Sequence, residues 1–133
     1  MTHPTMYDDA DPYLAHVREI CLALPRAAEK ISHGRPVFFT KKIFVGYGAV
    51  VKGDHHSPTY DHSIVIAPDP AEADALRQDP RFFVPAYWGP WGWLALDLAA
   101  APVDWDEVAE LVESSYRLTA SPAAIRELDA RAT

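Results

Sequence analysis

The sequence predicts an α+β fold, a single domain in which an antiparallel β-sheet packs against helices. Segments with apolar residues at alternating positions and many Val, Ile, Phe and Tyr residues occupy the middle of the chain. Helix start signals followed by periodic apolar residues flank them. The 133 residues, 49% hydrophobic and 23% charged, suit one core. We predict one domain over residues 1–133, with its core at about 12–118 and a C-terminal helix at about 122–130.

The first helix is predicted to begin at Pro12. Asp11 can accept hydrogen bonds from unpaired amides at the N-cap, and proline at the first helical position has no amide hydrogen to leave unpaired. Apolar residues then recur every three or four positions until Pro25. Cys21 lies on this apolar stripe, which predicts a packing role because reactive thiols need exposure.

Two strands joined by a tight turn are predicted between residues 36 and 51. A polar link at 32–34 precedes them, and Thr40-Lys41-Lys42 forms the turn. Gly46 and Gly48 leave one face of the second strand flat enough for a helix or a ligand to approach. The other face is predicted to carry Ile43, Val45, Tyr47, Ala49 and Val51.

A third strand is predicted at 62–67, after a polar loop at 53–61. The loop and its end contain residue types that bind metal ions, namely Asp54, His55, His56, Asp61 and His62. Neither a helical pair of histidines nor a cysteine partner accompanies them. We therefore predict a solvated loop and no metal site.

Two further helix signals follow the third strand. Asp69-Pro70-Ala71-Glu72 predicts a short helix with a capping box that ends near Gln78. Asp79-Pro80 repeats the start signal, but Pro85 limits any helix there to one turn. Phe82 and Phe83 are expected to pack against the sheet.

Residues 87–93, here called the aromatic turn, place four large aromatic residues and two glycines around Pro90. Such rings can close a small core or stack on a ligand, and both interpretations stay open. Trp88 and Trp91 are predicted to be the exposed pair. A strand from Gly92 to Leu98 follows, in which leucines alternate with Trp93, Ala95 and Asp97.

The last part of the chain predicts two helices. Asp104 and Glu107 provide a capping signal for an amphipathic helix that continues to about Leu118. Its outward acids, Asp106, Glu110 and Glu113, are expected to form a solvated face. Ser121-Pro122 begins the final helix.

The charge distribution is uneven. The net charge is −7, yet residues 26–52 contain six basic residues and one acid. This excess suits either a hairpin protected by its own charges or a surface that binds an anionic partner. A single cysteine and no secretory leader predict a cytoplasmic protein, and no apolar run approaches the length needed to cross a membrane.

Catalytic and cofactor motifs are absent from the sequence. It has no glycine-rich phosphate loop, nucleophile elbow, cysteine pair or helical His-Glu zinc motif. We predict a binding protein that has no catalytic residues and no cofactor. An enzyme built on His33, His62 or Asp97 is the alternative, and it requires one of these side chains to share a cleft with a second titratable group.

Several segments resemble the MmcQ/YjbR family of small bacterial proteins. They are the helix end at 22–25 with Glu29, the hairpin at 37–47, the stretch from Tyr87 to Leu98, and the Ser115-Tyr116 pair near the end of a helix. The resemblance covers about residues 13–118. It implies a frataxin-like (CyaY-like) fold and DNA binding through two hairpin wings.

Transferred to this sequence, the resemblance implies a first wing with Lys41 and Lys42 at its tip, supported by Arg35 and Lys52. The aromatic turn would be the second wing, with Trp88 or Trp91 stacking on a base. These cations would bind DNA through its phosphates, so binding would be nonspecific and would weaken as salt is added. A small molecule or a protein that binds the aromatic turn as a pocket wall remains the alternative partner.

Overall fold

The computed structural model describes residues 5–131, which form a single α+β domain with one six-stranded antiparallel sheet. The predicted fold class is confirmed. The strand order across the sheet is β1-β2-β3-β4-β6-β5. In chain order the elements are α1 (Pro12–Leu22), β1 (Ala28–Ser32), β2 (Arg35–Phe39), β3 (Ile43–Tyr47), β4 (Ser63–Ile66), α2 (Ala73–Gln78), β5 (Phe82–Phe83), a 3-10 helix (Gly89–Trp91), β6 (Leu94–Asp97), α3 (Trp105–Thr119) and α4 (Pro122–Ala130).

The predicted caps of three helices are confirmed. The Asp11 carboxylate accepts a hydrogen bond from the amide of Tyr13 at the start of α1. Asp104 caps α3 by accepting from two amides, and the Ser121 hydroxyl caps α4. These side chains satisfy amides that have no partner inside the helix, which explains why the helices begin where the sequence predicts.

Helices α1, α3 and α4 contribute to one core on one face of the sheet, the helix-covered face. Its largest fully buried side chains include Phe38, Phe44, Tyr47 and Tyr116. Cys21 is also fully buried in this core, and burial raises the pKa of its thiol, which confirms its packing role. No helix within residues 5–131 is long and apolar enough to cross a membrane.

Two polar side chains of α3 anchor that helix to the rest of the core. The buried Ser115 hydroxyl donates to the carbonyl of Phe44 at 2.6 Å and accepts from the amide of Ala67 at 3.0 Å. The neighbouring Tyr116 hydroxyl donates to the carbonyl of Pro25 at 2.7 Å. The Ser-Tyr pair therefore joins α3 to strand β3, to the residue that follows β4 and to the segment that follows α1.

The predicted polar link at 32–34 is instead the turn of a hairpin. Strand β1, absent from the sequence prediction, precedes it and pairs with β2 along five residues. His33 and Gly34 have φ angles of 52° and 84°, as a two-residue hairpin turn requires. β1 is an edge strand whose exposed residues include both Lys30 and the apolar Ile31, so it has little of the apolar alternation that identifies a strand.

Strand β3 ends earlier than predicted, at Tyr47. Gly48 has a φ of +78° and turns the chain, so Ala49 does not share a face with Val45 and Tyr47. It packs with Val65 and Ala95 on the opposite face of the sheet. Residues 48–62 and 84–93 cover this second, loop-covered face, where the Tyr60 and Phe83 rings stack and the amide of Ala86 donates to the carbonyl of Val50.

Helix α2 ends at Gln78 as predicted, but its start and the segment after it differ from the prediction. α2 begins at Ala73, because the Asp69 carboxylate closes a local turn with Ala71 and Glu72 makes no side-chain cap. Phe82 and Phe83 form β5 at the edge of the sheet and not a helical turn. Their predicted packing against the sheet is confirmed.

Candidate nucleic-acid interface

The lysine turn (residues 40–42) and the aromatic turn precede strands that begin at the same end of the sheet. Val45 of β3 and Leu94 of β6 both pair with Ile66 of β4, and each strand runs antiparallel to β4. β3 and β6 therefore run in the same direction, roughly 10 Å apart at ordinary strand spacing. The end of the aromatic turn that leads into β6 therefore lies at the same end of the sheet as the lysine turn.

The exposed cations without an acidic partner are mainly lysines. Lys41, Lys42 and Lys52 are exposed, and none forms an ion pair within residues 5–131. Most of the arginines are neutralised instead. Six of them pair with carboxylates at N–O distances of 2.6–3.1 Å: Arg18, Arg26, Arg35, Arg77, Arg81 and Arg117.

Arg35 lies away from the lysine turn. It begins β2, whose other end enters that turn, so the length of the strand separates them. Its side chain is 16% exposed, pairs with Asp61 at 3.1 Å and donates to the carbonyl of Met6. The guanidinium also occupies the place where a Cβ at Gly48 would lie. The structure thus gives Arg35 a role in fixing the start of the long loop.

Trp88 covers the loop-covered face and is only partly exposed, contrary to the prediction. Its ring lies over Gly46, where a Cβ would come within 3.2 Å of Cζ2, and it packs 5.1 Å from the ring of Trp93. The flat surface predicted at Gly46 is therefore filled by the chain's own tryptophan. Trp91 is 76% exposed, as predicted.

Tyr87 is an exposed residue of the aromatic turn that was not among the predicted site residues. Its side chain is 72% exposed, and its φ of 70° is unusual for a residue other than glycine. The phenol oxygen lies 3.1 Å from Nδ1 of His55. Positive φ at a tyrosine depends on the surrounding chain, so no sequence signal identifies it.

The possible metal ligands of the long loop point in different directions. His55 contacts Tyr87, Asp61 pairs with Arg35, and His62 contacts Asp11. Among the residues that the structure describes, no group of three or more His, Cys, Asp or Glu side chains is placed to hold a metal ion.

His62 shares a buried carboxylate with a tyrosine. Asp11 is 4% exposed and accepts a hydrogen bond from the Tyr47 hydroxyl, while its Oδ2 lies 2.7 Å from Nδ1 of His62. Burial, together with the hydrogen bond to Asp11, raises the pKa of Tyr47. His62 therefore contacts a second titratable group, and a cleft shared by the two side chains is the further condition of the enzyme alternative. The same carboxylate caps α1, so the cluster also fixes that helix to β3.

Comparisons with known proteins agree on the fold and the family. The YjbR family model matches residues 22–118. The crystal structure of the Deinococcus radiodurans protein DR2400, which contains a DUF419 domain, superposes with a TM-score of 0.63 at 20% identity, covering 87% of each chain. At that identity the similarity shows a shared fold. No curated protein matches the sequence.

Proposed function

This chain belongs to the YjbR family, and we propose that it is a non-enzymatic DNA-binding protein. The observation that carries the proposal is the placement of its unpaired lysines. Lys41 and Lys42 extend into solvent from a turn at the end of the sheet where the aromatic turn also enters. Cations that have no acidic partner are available to phosphates, because binding does not require an existing ion pair to break.

Different side chains are assigned different contacts with DNA. Lys41 and Lys42 before β3, and Lys52 in the loop beyond the other end of β3, hold phosphates, which position the DNA without reading its sequence. Trp91 is exposed and can contact a base face, whereas Trp88 supports the turn from beneath. Acids of α3 such as Glu110 lie on the helix-covered face, away from the aromatic turn. Because the proposed contacts go to phosphates and to the face of a base, binding is expected to be nonspecific.

The expected affinity is modest. Three phosphate contacts correspond to a slope of about −2 to −3 in a plot of log binding constant against log salt concentration. The net charge of −7 opposes binding at long range. Asp69 and Glu72 follow β4 at the same end of the sheet as the lysine turn, which weakens the local positive potential further.

The test is fluorescence anisotropy of labelled DNA titrated with the protein at several salt concentrations. The double variant Lys41→Glu, Lys42→Glu should weaken binding at least about tenfold at low salt and flatten the slope to about −1. A matched control, Arg126→Glu with Arg131→Glu, makes the same change in net charge on α4 and at its C-cap, and it should bind nearly as the wild type does. Equal losses in both variants, or a wild-type slope near zero, would refute the proposal.

A protein or small-molecule partner at the aromatic turn is the second candidate. Val84, Tyr87 and Trp91 are 57%, 72% and 76% exposed, which is a large apolar area for neighbouring positions in one segment. Such a partner would bind through apolar contact, and its affinity would persist at salt concentrations that abolish phosphate contacts. Absence of DNA binding at low salt would favour this candidate.

A further inference from the structure

The aromatic turn presents two rings to solvent on a well-fixed backbone. Tyr87 and Trp91 are the most exposed large hydrophobic side chains within residues 5–131. The amides of Trp91 and Gly92 donate to carbonyls within the turn, and that of Gly89 donates to the carbonyl of Pro85 just before it. The amide of Ala86 donates to Val50 across the loop-covered face. Because the backbone is already ordered, binding a ligand at these rings requires little further loss of conformational entropy.

Tyr87 is held in a conformation that tyrosine rarely adopts. A φ of 70° at this residue costs free energy, and the surrounding contacts must maintain it. The ring lies 5.3 Å from that of His55, and its hydroxyl is within hydrogen-bond distance of the imidazole. Despite these contacts, most of the Tyr87 side chain faces solvent.

A cation that can bind phosphate lies close to this pair in the fold. Val50 and His55 contact Ala86 and Tyr87, so the loop segment between them runs beside the aromatic turn. Lys52 lies in that segment, is exposed, and forms no ion pair with any residue that the structure describes. Exposed rings beside an unpaired cation match the base faces and phosphates of a nucleic-acid strand.

We propose that the protein selects single-stranded DNA, with unpaired bases stacking on Tyr87 and Trp91 while Lys52 and the lysine turn hold the backbone. This inference rests on the proposed function and specifies its ligand. In a duplex the base faces are already stacked on one another and only the edges are accessible. In a single strand the faces are free, and stacking on aromatic side chains tolerates any sequence.

The experiment compares three labelled probes of equal length: a single strand, the same strand in a duplex, and a single strand that lacks its bases. The wild type is expected to bind the single strand about tenfold more tightly than either other probe. Tyr87→Ala and Trp91→Ala should each weaken single-strand binding roughly five- to a hundredfold and leave duplex binding nearly unchanged. Trp91→Phe, which keeps a ring, should retain most of the affinity.

Leu118→Ala is the matched control, because Leu118 is also an exposed apolar residue but belongs to α3. It should bind every probe as the wild type does. Duplex binding as tight as single-strand binding, or alanine variants that bind the single strand normally, would overturn single-strand selection and leave DNA binding intact. Absence of salt-dependent binding to any probe would overturn both proposals.

Discussion

The two faces of the sheet are covered in different ways. On the helix-covered face, large side chains such as Phe38 and Phe44 are fully buried under helices. On the loop-covered face, the small residues Gly46 and Ala95 leave room for the ring of Trp88, which the aromatic turn supplies. A face covered by loops can display side chains outward without disturbing the main core, because loops carry little of the buried apolar surface.

This difference separates stability from binding. The helix-covered face contains the anchoring hydrogen bonds of Ser115 and Tyr116 and most of the buried apolar area. The segments that cover the other face carry Lys52, Tyr87 and Trp91, all exposed. Substitutions on the first face should therefore reduce the free energy of unfolding, whereas substitutions of the displayed residues should change ligand affinity alone.

The largest expected effect is a difference between two aromatic truncations. Phe38→Ala should lower the free energy of unfolding by about 3–5 kcal/mol, because it opens a cavity in the main core. Trp88→Ala should cost about 1–2 kcal/mol, since its ring is partly exposed and leaves less buried area to lose. Urea denaturation of both variants measures the loss in the free energy of unfolding. Equal losses would mean that the two faces of the sheet contribute equally to stability.

Ser115→Ala should cost about 1–3 kcal/mol, because it leaves the buried carbonyl of Phe44 and amide of Ala67 without a partner. Ser114→Ala is the matched control, as its side chain is partly exposed, and it should change stability little. Chemical denaturation of the two variants gives the comparison. Similar stability of both variants would show that the two hydrogen bonds of the Ser115 hydroxyl do not stabilise the fold.

Stability should also fall in alkaline solution because of Tyr47. Its pKa is raised in the folded state by burial and by the hydrogen bond to Asp11, so above about pH 10 the unfolded chain releases a proton that the folded chain keeps. Stability is full below that pH and decreases by up to about 1.4 kcal/mol per pH unit above it. Unfolding measured from pH 9 to 11 should show a shallower decline for Tyr47→Phe than for Tyr87→Phe.

The smallest effect is expected at Gly46. In Gly46→Ala the new methyl group would lie 3.2 Å from the Trp88 ring and push it outward, while alanine favours the strand backbone over glycine. These contributions oppose each other, so stability should change by less than about 1 kcal/mol. The near-ultraviolet circular dichroism of the tryptophans should change nevertheless. An unchanged spectrum would place Trp88 away from Gly46.

Features set by local chemistry were predictable from the sequence. The caps at Asp11, Asp104 and Ser121 depend on one side chain and the next few amides, and each is found where predicted. The lysine turn is similarly local, and it separates β2 from β3. The buried position of Cys21 follows from helical periodicity alone.

Features set by distant contacts were not predictable. The position of Trp88 depends on space left by Gly46 in another strand, and the conformation of Tyr87 depends on the neighbouring loop. The Arg35–Asp61 ion pair joins residues from separate segments, so the local positive charge of residues 26–52 overstated the number of available cations. A polar edge strand such as β1 lacks the apolar alternation by which strands are recognised.

The most direct test of the account is an amide and indole NMR titration of the protein with a short single-stranded DNA at low salt. Chemical shifts of Lys41, Lys42, Lys52, Tyr87 and the Trp91 indole should move together and return to their initial values when salt is added. Amides on the outer surfaces of α3 and α4 should stay unchanged. Shifts confined to those helices, or none at millimolar DNA, would contradict the assignment of nucleic-acid binding to the lysine turn and the aromatic turn.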